Sequence, residues 1–159
     1  MKIRALLLFI GLLPLLFGYV SNRLVSAMWY YTFPSGWYWF TGIFFILLWF
    51  SVGIISAKKS CLRRVAIAYL NLPAILAVIV ILYHEFFAGW DGINMVSFLL
   101  SQYFFLPLIL VANRLLQLLP IETVRLSYLS ITAFFMLLII SYIGHKLGTN
   151  PEWEDDYAD

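Results

Sequence analysis

Apolar residues run almost unbroken through positions 5–20, 37–57, 65–87, 93–112 and 126–144, and polar residues gather in the short segments between. A hydrocarbon core of about 30 Å takes roughly 20 apolar helical residues at about 1.5 Å of rise each. The pattern therefore predicts an all-α, polytopic integral membrane protein built as a bundle of five transmembrane helices. The runs are apolar nearly all round, so periodicity marks no face for lipid or for protein. Leu115 to Pro120 is too short for another crossing and is expected along the cytoplasmic membrane interface.

The first run follows Met-Lys-Ile-Arg and is the one segment that also reads as a secretory signal, with Val25-Ser26-Ala27 as a tolerable cleavage site and four crossings left if it is removed. Asn22 and Arg23 interrupt the stretch between the apolar core and that site, which favours a retained first helix. Gly11 and Gly18 lie seven residues apart, on one face, where small residues let a neighbouring helix come close. Pro14 between them predicts a kink.

Composition sharpens this picture. The chain has 159 residues, 64% of them hydrophobic and 11% charged, against about 25% charged in an ordinary soluble domain. One membrane domain, residues 1–148, accounts for nearly all of it; residues 149–159 form an acidic tail without apolar periodicity, expected to be mobile. A net charge of +2 without a basic patch away from the membrane boundary argues against nucleic acid as a partner. The single cysteine, Cys61, excludes an internal disulfide and a four-thiolate metal site. It reads as a small interfacial residue, with a reactive or acylatable thiol among Lys58, Lys59, Arg63 and Arg64 as the sharper alternative.

Charge also predicts orientation. With the N-terminus inside and five crossings, eight basic residues (Lys2, Arg4, Lys58, Lys59, Arg63, Arg64, Arg114 and Arg125) fall on the cytoplasmic side and two, Arg23 and Lys146, outside. The expectation is a multi-pass protein of the inner (cytoplasmic) membrane with a cytoplasmic N-terminus and an external C-terminus. Between the first two helices, eight of the thirteen residues from Met28 to Phe40 are aromatic. Trp and Tyr favour the headgroup level, which makes Trp29, Trp37, Trp39 and Trp90 interfacial anchors; an aromatic platform for a ligand is the alternative.

Candidate chemistry is sparse. No charged residue occupies the centre of a helix, so a proton relay or a path for a charged substrate has no candidate. Asn71 lies about 7 residues, roughly 10 Å, inward from Arg64, and Gln102 about 10 residues, roughly 15 Å, inward from Ala112. Those depths allow a hydrogen bond between the third and fourth helices. Pro73 and Pro107 each free a carbonyl nearby, so Asn71, Gln102, Tyr69 and Tyr103 are candidate lining residues of a polar ligand pocket. The blander expectation is that the amides satisfy each other.

His84, Glu85, Asp91 and His145 are expected together at the external level as weak metal-ligand candidates. His84 and Glu85 point about 100° apart on a helix, and the second histidine of a zinc-protease motif is missing. No metal or other cofactor is therefore expected. The helical serines Ser21, Ser51, Ser97, Ser101, Ser127, Ser130 and Ser141 have no base at a suggestive spacing and are expected to bond the preceding turn's carbonyl. No catalytic residue stands out, and an enzyme is the less favoured class.

Two functions follow as expectations. The first is a small membrane protein acting through helix–helix contacts, as an accessory subunit of a membrane complex or as a homo-oligomer, with the bilayer and another membrane protein, or itself, as partners. The second is a binding or transport component holding a small molecule or lipid between the third and fourth helices.

Overall fold

The structure is a computed structural model and describes residues 2–27, 36–59, 63–87, 92–119 and 125–149. These residues form helices α1 (Lys2–Ile10), α2 (Leu13–Ala27), α3 (Gly36–Lys59), α4 (Arg63–Phe86), α5 (Gly92–Phe105), α6 (Ile109–Leu116) and α7 (Leu126–Gly148), with a 3₁₀ turn at Leu106–Leu108 joining α5 to α6. Among the described residues there is no strand, and the fold is an all-α bundle. Five helical stretches are long and apolar enough to cross a membrane: Ile3–Leu24, Trp39–Lys58, Arg63–Phe86, Phe98–Leu116 and Leu126–Gly148.

The three helix-associated prolines act differently. Pro14 has no N–H to give the carbonyl of Ile10. There the first stretch breaks into α1 and α2, bridged by the tighter bond from Leu12 N–H to the Phe9 carbonyl at 3.2 Å. Pro73 sits inside α4 without ending it. Pro107 lies within the 3₁₀ turn, flanked by Phe105 and Leu108 at φ near −100° and ψ near −6°. Instead of one straight fourth helix, the chain is jointed there, and helical turns continue to Leu119 through the bond from Leu119 N–H to the Leu116 carbonyl at 3.0 Å.

Side-chain contacts give the helices their directions. α7 runs antiparallel to α4, since Asn71 meets Ser141 and Glu85 meets Ser127. α7 runs parallel to α3: Trp49 bonds the Leu137 carbonyl, Gly53 lies against Ser141, and Gly148 against Ile54 and Ala57. α5 lies antiparallel to α2, with Tyr103 beside Asn22 and Pro107 beside Gly18. Hence α4 finishes and α7 starts at the same end of the bundle. The intervening α5–α6 leg leaves that end and returns to it.

This arrangement also fixes where the first and last described helices end relative to one another. With α1–α2, α3, α4 and α7 each running the length of the bundle in alternate directions, the start of α1 and the end of α7 share one end, together with Lys58 and Arg63. The expectation of opposite sides assumed that every apolar run passes straight from one face to the other.

The core holds Phe45, Trp49, Leu70, Ala74, Ile81, Phe105, Leu108 and Leu137, all nearly inaccessible. The most extensive helix contact is the parallel α3–α7 pair. A Cβ on Gly144 would lie 2.5 Å from the Phe50 carbonyl, so only glycine permits this approach. Gly11 and Gly18 are likewise covered from within the chain, Gly11 by Leu70 and Pro73 and Gly18 by Tyr103 and Pro107. Their face meets α4 and α5 and is not left open for a partner.

Candidate functional site: a polar seam along α7

The buried face of α7 carries Ser127, Ser130, Ala133, Leu137, Ser141, Gly144 and His145. Steps of three and four residues keep these on one side of a helix, so a seam of small and polar groups faces inward along its length. Large apolar residues of the same helix, such as Phe135, Ile139 and Tyr142, point outward.

At one end of the seam the Glu85 carboxylate takes two hydrogen bonds from Ser127, one from the backbone N–H at 2.9 Å and one from the hydroxyl at 3.0 Å. The residue before α7, Arg125, is extended and makes no side-chain cap. A helix start leaves backbone N–H groups without partners and carries a positive partial charge. Glu85 supplies the missing cap from another helix.

Near the opposite end, Asn71, 1% exposed, donates through Nδ2 to the Ile67 carbonyl at 2.9 Å and to Ser141 Oγ at 3.0 Å. Ser141 passes its own hydroxyl hydrogen to the Leu138 carbonyl at 3.0 Å. Asn71 Oδ1 is buried and accepts no hydrogen bond. His145, one turn beyond Ser141, is completely buried. At the same level the Arg63 guanidinium lies over the Tyr142 ring, 5.8 Å from its centre. Between the two polar ends, the Trp49 indole N–H donates to the Leu137 carbonyl at 3.2 Å.

The sequence-predicted site residues are dispersed. Asn71 pairs with α7 and not with Gln102. The Tyr103 hydroxyl accepts from Asn22 Nδ2 at 3.3 Å, and the Tyr69 ring sits beneath Arg4, 5.7 Å from the guanidinium carbon. Asn71, Tyr69 and Tyr103 thus face three different helices. The candidate metal ligands separate too. His84 packs edge-on against Tyr83 and Phe98, Glu85 is engaged by Ser127, and His145 lies at the far end of the bundle. The expected common level of the two histidines is corrected by the direction of α7. Asp91, Cys61, Trp29, Trp90 and the tail from Asn150 lie outside the described residues, and among those described no group of three or more His, Cys, Asp or Glu side chains converges. Trp37 belongs to the first turn of α3, and Trp39 is exposed.

The hydroxyls of Ser51, Ser56, Ser130 and Ser141 each donate to a carbonyl three or four residues back. A hydroxyl so engaged is a packing group and is not poised as a nucleophile. The chemistry of the seam is interhelical hydrogen bonding. Sequence reasoning missed the Glu85–Ser127 and Asn71–Ser141 pairs. The recurrence of small and polar residues every three or four positions in α7 was the available signal.

On the lateral surface, α1 is flanked by two apolar grooves. One, of about 140 Å³, lies against Val52, Ile55 and Ser56 of α3, and the other, of about 310 Å³, against Leu72, Pro73 and Leu76 of α4. No protein-family model, curated protein or solved structure matches this chain.

Proposed function

We propose that this protein works within the bilayer as a helix-packing module, an accessory subunit of a larger membrane complex or a self-associating oligomer. The observation that supports this reading is where the polar groups go. Asn71, Glu85, Ser127 and Ser141 bond one another across helices, and the two grooves beside α1 are almost wholly apolar. An interior held together in this way offers packing surface more readily than a reaction site. We further propose that the end carrying Lys2, Arg4, Lys58, Lys59, Arg63, Arg64 and Lys146, seven of the ten basic residues, faces the cytoplasm of a cell membrane. Both the start of α1 and the end of α7 then lie inside.

The test is native mass spectrometry of the full chain purified in mild detergent or native nanodiscs. A defined homo-oligomer or a stoichiometric membrane-protein partner is expected; a functional monomer sinks the proposal. A second reading, binding of a small ligand within the bundle, draws on the buried Asn71 Oδ1, which accepts no hydrogen bond. It requires a bound molecule that Asn71→Leu abolishes.

A further inference from the structure

The larger groove beside α1 has a charged mouth. Its walls are Leu8, Phe9 and Leu12 on one side and Leu72, Pro73 and Leu76 on the other, with a volume of about 310 Å³. On α1, Arg4 and Leu8 are four residues apart and so share a face; on α4, Tyr69 precedes Pro73 by one turn and Leu76 by two. Arg4, itself exposed, is held over the Tyr69 ring at 5.7 Å, at the end of the groove nearest the basic end of the bundle. From Arg4 to Leu12 the groove extends roughly 12 Å into the apolar zone.

Three features limit the occupant. The groove opens sideways from helices long and apolar enough to cross a membrane, so hydrocarbon is what it meets. Its lining, with Phe9 77% exposed, offers no hydrogen bond. Among the described residues the charge seen at its mouth is the Arg4 guanidinium, whose planar donors match phosphate oxygens two at a time. Tyr69 keeps that guanidinium oriented by a cation–π contact while Arg4 remains exposed.

We propose that this groove is a binding site for an anionic phospholipid, with one acyl chain along α1 and α4 and the headgroup phosphate on Arg4. The Gly11–Leu12 break builds it. There Gly11 draws close to Leu70 while Leu12 turns outward, 44% exposed, to line the groove. Clustered basic residues at the cytoplasmic boundary attract anionic lipid in general; the groove makes one of them specific.

The test compares full-length protein in nanodiscs containing equal phosphatidylglycerol and phosphatidylcholine, with lipid retained after gentle release counted by native mass spectrometry. Wild type should retain phosphatidylglycerol preferentially. Arg4→Gln should lower that preference about five-fold, and Leu8→Trp, which fills the groove and spares the charge, should also lower it. Arg64→Gln, which removes an exposed cation from the same end, reports the general attraction of the basic cluster and should lower the preference clearly less than Arg4→Gln does. Equal retention by wild type and Arg4→Gln, or equal losses in Arg4→Gln and Arg64→Gln, would overturn the site. Thermal melting of each variant separates lost binding from lost folding; if Arg4→Gln does not fold, Leu8→Trp and Arg4→Lys carry the test, and unchanged retention by the folded Leu8→Trp protein would refute it.

Discussion

Asn71 joins two helices with its amide hydrogens while its oxygen stays buried without a donor. Interhelical hydrogen bonds in membranes average about 0.6 kcal/mol, and an unsatisfied buried acceptor costs about 1–3 kcal/mol. The two effects oppose each other, so Asn71→Leu should change stability by less than about 1 kcal/mol, measured by reversible unfolding in detergent. Asn71→Ala should cost more, because it also leaves a cavity. Glu85 is the opposite case. Both of its carboxylate oxygens are engaged at the start of α7, and Glu85→Ala should cost about 1–3 kcal/mol in the same assay. Glu85→Gln should cost less, since its amide oxygen still accepts one of the two bonds.

Elements are held at their glycines and prolines. Gly144 against Phe50 brings α3 and α7 to backbone contact, and Gly144→Ala should cost about 1–3 kcal/mol, because the atom it meets belongs to a helix carbonyl and not to a flexible side chain. Gly148 and Gly53 extend the same seam. Gly11, Gly18 and Pro14 were legible in the sequence as packing and kink positions. Which helices they meet was not, because a small residue permits close approach without choosing the neighbour. The expected Asn71–Gln102 pair failed for a related reason: equal depth was inferred from distance along each chain segment, and that inference assumed a straight crossing through Pro107.

For the whole molecule, helix direction decides which residues share a side. In a Cys61→Ser background, cysteines placed at Lys58 and Thr149 should label together from one side of sealed vesicles, and a cysteine at Arg125 should label from the other; labelling of Lys58→Cys and Thr149→Cys from opposite sides would contradict the packing of α7 along α3. The membrane class was readable from residue content alone, since each apolar run must replace water with hydrocarbon over a fixed thickness. The five apolar helical stretches and their approximate boundaries followed from the same requirement, but the breaks of the first at Gly11–Leu12 and of the fourth at Pro107 did not. Direction, pairing and the fate of each polar group were settled only by tertiary structure. In a bilayer, lipid-facing and protein-facing sides are equally apolar, so hydropathy carries no memory of which helix lies beside which. The return of the α5–α6 leg to its own end, and with it the meeting of Glu85 with Ser127 and Asn71 with Ser141, depends on shape at Pro107 and on backbone contact at Gly144.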